Sequence, residues 1–313
     1  MAKNEDLIVN KKDINDDNLI KNDEVNIQIQ SSSTNNNEEQ TKEVLDANTI
    51  EVTISEPAPI VILFGARASG KTMTLVRLTR YLRKNGYSVE PDRIFRPSHS
   101  KHYEEMCNTF DKNVNSNNAA VSNSILNFML LKVRESGGGP MVCQILEAPG
   151  EHYFEPDNNN DFPSYIQKIT KRSNHRTWIF FVELDWQDDL IRKAYELKVA
   201  KMRNLIKDKD KIILMCHKAD LQMDTHYYKG FPVKEEFIKG IKNQYPGIFN
   251  ILKSNIPIIK WFKPYEIDEY VIFSAGSFTL NKINNTQQYV EGEDVYPRDL
   301  WKAIKKTVRG SNF

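Results

Sequence analysis

The chain has 313 residues, 40% of them hydrophobic and 27% charged. That is enough to build one large domain or two small ones around a sizeable core, and it excludes collagen-like and wholly disordered chains. Lys and Arg total 43 against 42 Asp and Glu, a formal net charge of +1, so no long-range attraction to nucleic acid or anionic membrane is expected. The three cysteines, Cys107, Cys143 and Cys216, are too few and too scattered for a disulfide framework or a zinc site. The longest apolar runs, Pro59–Phe64 and Trp178–Val182, fall far short of the roughly 20 residues that span a bilayer. Neither a secretory leader nor a lipidation signal stands at the ends of the chain. A reducing, cytoplasmic setting is the expectation.

The even charge hides a division. The first 50 residues hold 5 Lys against 11 acidic residues, with 10 Asn and no aromatic, while the remaining 263 hold 38 basic against 31 acidic side chains. Such a leader cannot bury enough apolar surface to offset the entropy of ordering it. Residues 1–55 are therefore read as a disordered acidic tail and 56–313 as the folded domain.

Pro59–Phe64 then reads as a parallel strand buried on both faces, and Met73–Asn85 as an amphipathic helix stopped by Gly86. Residues 87–123 read as a polar, irregular insertion with a short helix near Tyr103–Phe110. Ser124–Glu135 and Pro140–Leu146 read as two strands joined across Ser136–Gly139, a hairpin. Thr177–Glu183, Lys211–Cys216 and Tyr270–Ser274 are further strands. Asp188–Ile206, Glu235–Lys253 (broken near Pro246) and Pro297–Val308 are helices. Strands alternating with helices predict a three-layer α/β sandwich, mostly parallel, whose hairpin adds one antiparallel edge strand. A second insertion spans 221–265.

The strongest chemical signal is Gly65-Ala66-Arg67-Ala68-Ser69-Gly70-Lys71-Thr72. It matches G-x-x-x-x-G-K-[ST], with a strand before it and a helix after it. Its glycines let successive N–H groups face phosphate oxygens, and the helix N-terminus adds partial positive charge. Lys71 is placed to reach the outer phosphates and Thr72 to ligate Mg²⁺. Glu147-Ala148-Pro149-Gly150 follows a strand: the carboxylate suits a metal-bound water, and the Gly150 N–H suits a terminal phosphate. His217-Lys218-Ala219-Asp220 follows another. There Asp220 is suited to accept two hydrogen bonds from guanine, with the Lys218 stem over the base. Ser274-Ala275-Gly276 is suited to meet the guanine carbonyl through backbone N–H groups. All four turns lie at C-terminal strand ends, where open α/β sheets bind ligands.

With those motifs in that order, the chain resembles the Ras-like and translation-factor-related class of P-loop GTPases over about Glu56 to Arg309. The resemblance implies GTP or GDP with Mg²⁺. It makes 65–72 the phosphate loop, Glu147–Gly150 the phosphate-sensing turn (D-x-x-G in the family), His217–Asp220 the guanine reader (N-K-x-D) and Ser274–Gly276 the base support. It also implies a hydrolytic role for Lys71, Gly150 and Glu151, the last standing where the family carries a water-orienting Gln.

Glu147 for Asp and His217 for Asn depart from the family. Arg67 inside the phosphate loop is either an arginine finger in cis or a residue facing solvent or a partner. Ser122, Ser124 and Thr109 are the candidates for the switch hydroxyl. Protein partners are expected at the inserted loops or the acidic tail. Three functions fit: a slow Mg²⁺-dependent GTPase switch, an inactive scaffold of the same fold, or a P-loop ATPase or phosphotransferase in which Arg93 and Arg96 would be the lid arginines.

Overall fold

A computed structural model describes residues 50–96, 101–116, 128–154, 162–183, 189–218, 233–254, 264–281 and 286–309, all within one compact unit, Leu45–Phe313. Residues 1–49, Ser122, Ser124, Asp220 and all of 221–232 in the second insertion lie outside the described residues; 50–55, expected to belong to the tail, are described, with Ile50 and Ile54 buried against the core.

Ile60–Phe64 (β1) is buried along its whole length. The reason is its place: β1 pairs in parallel with Met141–Glu147 (β4) on one side and Arg176–Val182 (β5) on the other. Lys211–Cys216 (β6) and Glu269–Ile272 (β7) continue the sheet in parallel beyond β5. Beyond β4, Met129–Arg134 (β3) runs antiparallel to it through the Ser136–Gly139 turn, as the hairpin signal predicts. Ser88–Pro91 (β2) then pairs antiparallel with β3. The order is β2-β3-β4-β1-β5-β6-β7.

One strand is thus antiparallel to the rest, as expected, but it sits one place in from the edge because β2 adds outside it. Residues read as irregular supply β2, and the short helix expected near Tyr103–Phe110 extends to 15 residues, Lys101–Asn115 (α2). The helix keeps one apolar face, with Tyr103, Met106, Cys107, Phe110 and Val114 buried.

Lys71–Lys84 (α1) packs beside α2 and Val295–Arg309 (α8). Asp189–Arg203 (α5) packs with Pro246–Ile251 (α7) and the short Glu151–Phe154 (α3). Ser164–Lys171 (α4) precedes β5, and Val233–Gln244 (α6) is separated from α7 at Pro246, where the sequence break falls. The result is the expected three-layer α/β sandwich. A separate hairpin, Gly276–Asn281 (β8) with Thr286–Glu291 (β9), was not legible in the sequence. It is tied to α1 by Arg77, which donates to Gly292 O at 2.8 Å and to Asp294 at 2.7 Å, and by Arg80, which donates to Glu291 at 2.6 Å.

All three cysteines are buried and none is in a disulfide; they serve as small hydrophobes. Among the described residues no helix is long and apolar enough to cross a membrane.

At the N-terminal end of β5 lies a fully buried ion pair. Arg176 Nε donates to Asp210 Oδ2 at 3.0 Å, Nη2 lies 2.9 Å from Oδ1, and Trp178 Nε1 donates to the same carboxylate at 3.3 Å. It anchors the edge of the sheet opposite the phosphate-loop motif.

Candidate functional site

Because β4, β1, β5, β6 and β7 are parallel, the turns that follow them emerge at one edge of the sheet. That places 65–72, Glu147–Gly150, His217–Lys218 and Ser274–Gly276 along a single rim.

The loop after β1 turns sharply into α1. Ala68 and Gly70 both take positive φ, 57° and 83°. At residue 70 a side chain is excluded twice over, by that backbone and because a Cβ would sit 2.1 Å from His217 Cε1. α1 begins at Lys71 with no side-chain cap and no acidic residue in its first turn, leaving an N-terminus suited to an anion. Lys71 is buried, and its ammonium donates to Gly65 O at 2.9 Å and Ala66 O at 2.8 Å. Arg67 and Ala68 are exposed, while Gly65, Ala66 and Ser69 are buried.

Glu147 ends β4 and is buried beside Thr72, whose hydroxyl donates to Oε1. Its second oxygen, Oε2, is buried without a partner among the described residues. Burial pushes its carboxyl up to about 7, opposed by the Thr72 hydrogen bond and by the Lys71 charge. The donors are all oxygen, one carboxylate and one hydroxyl, the hard set that suits Mg²⁺. With one oxygen left without a hydrogen-bond partner among the described residues, these residues fit that ion.

Gly150 lies against the 65–72 loop itself: a Cβ there would come within 2.2 Å of Arg67 N and 2.5 Å of Ala66 C. The turn continues into α3, whose Tyr153 is fully buried with its ring 4.8 Å from Phe64. His152 Nδ1 lies 2.9 Å from Tyr165 Oη. The segment after Gly150 is thus fastened to the core at two points. Glu151 opens α3.

His217 follows β6 and is 4% exposed. Its ring stacks 5.9 Å from Phe273, lies 5.9 Å from Phe181 and supports Gly70 from below. Neither ring nitrogen has a partner among the described residues. Burial, then the Lys218 and Lys71 charges, hold its pKa down at about 3. His217 therefore occupies, as a neutral ring, the space beneath the loop. The two lysines act on one imidazole, which brings Lys71 and Lys218 to the same part of the rim.

Lys218 sits at positive φ, 57°, and its ammonium lies 2.8 Å from Glu183, just past β5. Sequence reading missed Glu183, although its signal was present: an acid directly after an apolar strand. Ser274 is buried, its hydroxyl accepting from Gly276 N at 3.2 Å. The Ala275 carbonyl accepts from Tyr289 and from Gly292 N at 3.1 Å. The Ser274–Gly276 turn is thus locked by the β8–β9 hairpin.

Of the other candidates, Thr109 lies within α2. Arg93 is paired with Glu104 and donates to Asn108 at 3.2 Å. Arg96 is buried, its guanidinium 5.2 Å from the Tyr103 ring and 5.8 Å from that of Phe128. Both are thus engaged with residues of α2 or the ring of Phe128.

No family model matches the sequence, and no curated protein sequence matches it either. Solved structures resemble it in the course of the chain. Toc33 from Arabidopsis thaliana, in complex with GDP and Mg²⁺, is 14% identical over 82% of this chain and 86% of its own, with a TM-score of 0.45. A chain from work on dimerization and GTPase activity of the chloroplast translocon components atToc33 and psToc159 is 12% identical over 82% and 84%, with a TM-score of 0.42. Roco2 of Methanosarcina barkeri bound to GDP is 12% identical over 82% and 52%, with a TM-score of 0.33.

Proposed function

We propose that the chain binds a guanine nucleotide with Mg²⁺ along this rim and hydrolyses GTP slowly, acting as a switch. One observation carries the reading: the uncapped start of α1 closes around Lys71, while Thr72 and the half-satisfied Glu147 meet beside it. Ser69 Oγ, Glu147 Oε2 and both His217 nitrogens are buried without partners among the described residues around one loop. Several orphaned polar atoms in one place argue for a missing polar ligand.

In this reading the N–H groups of 65–72 cradle the phosphates, and Lys71 exchanges its two loop carbonyls for phosphate oxygens. Thr72 and Glu147, the latter expected to act through water, would hold Mg²⁺, which would neutralise charge on the phosphates when bound. Lys218, steadied by Glu183, lies over the base, Asp220 reads the guanine edge, and Ser274–Ala275 support it. Gly150 meets the terminal phosphate, and Glu151 orients water. A cytoplasmic setting accords with three cysteines outside any disulfide, and protein partners belong at the inserted loops or the tail.

A second reading, a nucleotide-binding scaffold without turnover, is favoured by the fastening of α3 through Tyr153 and His152. The engagement of Arg93 and Arg96 speaks against the phosphotransferase. Nucleotide released from the purified protein and identified by ion-exchange chromatography tests the proposal. Guanine is expected, and adenine overturns it. Single-turnover hydrolysis with Mg²⁺ then separates switch from scaffold, since cleavage abolished by Lys71→Ala rules out the scaffold.

A further inference from the structure

α5 is apolar on two faces. Its inner face is ordinary core: Tyr195, Val199 and Met202 are fully buried. On the opposite face Leu190 is 79% exposed and Leu197 66%, two of the five large hydrophobic side chains that stand exposed among the described residues. Ala194 is exposed with them. Leu190, Ala194, Leu197 and Lys201 are spaced by four, three and four residues, the repeat that lays one helix along another. They form a seam of about three turns, roughly 16 Å long.

The charges on that face select the occupant. Lys193 flanks the seam and Lys201 ends it, while Lys198 on the other flank turns its ammonium over the Phe162 ring, 5.2 Å from the centroid. The two acids of α5 are engaged elsewhere: Asp189 pairs with Arg192, and Glu196 accepts from Gly247 N at 2.9 Å. A second copy of α5 laid on the seam would set Lys201 against its own counterpart if parallel, and Lys193 against its own counterpart if antiparallel. Both arrangements are repulsive. We propose that the outer face of α5 docks an amphipathic helix of another protein, apolar along its seam and acidic along its flanks. The docked helix would lie over the element whose inner face puts Tyr195 Oη 3.5 Å from Phe64 O, immediately before the phosphate-loop motif.

The test uses the full chain and two labelled helical peptides of about 20 residues, each with a leucine seam, one flanked by Glu and the other by Lys. Binding is read by fluorescence anisotropy. The Glu peptide is expected to bind at least about tenfold more tightly than the Lys peptide and to lose at least about tenfold with Leu197→Asp. Lys193→Glu combined with Lys201→Glu is expected to reverse the preference, and as an exchange of charges it provides a check should Leu197→Asp disturb folding. Equal binding of the two peptides, no binding of either at 100 micromolar, or indifference to both variants overturns the proposal. So does a dimer in sedimentation that Leu197→Asp dissolves, which would make the occupant a second copy.

Discussion

His217 lets the architecture under the phosphate loop be tested without any ligand. Its imidazole is buried between Phe181, Phe273 and Gly70, and its pKa is held at about 3 against an ordinary 6.5. In the unfolded chain the same ring takes up a proton near its ordinary value. Between those limits the unfolded state binds more protons, so stability falls as the pH drops below 6.5 and continues to fall toward 3. Between pH 7.5 and pH 5 this one group removes about 2 kcal/mol of stability. Other residues titrate over the same range, so the measurement is a difference. Urea unfolding of the nucleotide-stripped protein and of His217→Asn is followed at both pH values. The parent is expected to lose about 2 kcal/mol more than the variant, whose amide does not titrate. Equal losses would mean that the ring accepts a proton in the folded protein. Its placement beneath Gly70 would then be wrong.

Three more outcomes follow from named contacts. Glu147→Gln is expected to reduce the Mg²⁺ dependence of nucleotide affinity at least about tenfold, read by titrating a fluorescent nucleotide with and without the ion; an unchanged dependence removes Glu147 from the metal site. Gly150→Ala forces a methyl to within 2.2 Å of Arg67 N, so a non-hydrolysable triphosphate should weaken more than the diphosphate in the same titration, and equal weakening would detach Gly150 from the terminal phosphate. Asp210→Ala leaves the Arg176 guanidinium buried and uncompensated, and should cost about 3–5 kcal/mol in chemical denaturation. Because the pair lies at the far end of β5, nucleotide affinity measured on the folded variant should stay where it was.

The sequence displayed those parts of the site that sit at the ends of long apolar strands. Pro59–Phe64, Lys211–Cys216 and the Ser136–Gly139 turn each carry a local signal, so the loop, Glu147 and His217 were located from pattern alone. β2 was missed because Ser88–Pro91 is four residues long, half of them polar or charged, and is a strand only because β3 offers it an edge. The β8–β9 hairpin was missed because its residues carry no apolar run; Arg77, Arg80 and the Ala275 carbonyl tie it down instead. The burial of His217 is likewise a tertiary fact. No spacing in the chain reveals that the residue after Cys216 supports one near position 70. Nor does pattern show that Lys71 rests on the carbonyls of its own loop, a contact set by the curl of 65–70.

Base preference is the most direct measure of the central claim. Affinities for fluorescent GDP and ADP, taken with Mg²⁺ on the parent protein and on Asp220→Asn, compare the two purines at one pocket. A preference for guanine of at least about a hundredfold, largely lost in the variant, is the expected result. Equal affinities in the parent, or tighter binding of ADP, would contradict the assignment of a guanine nucleotide to this rim.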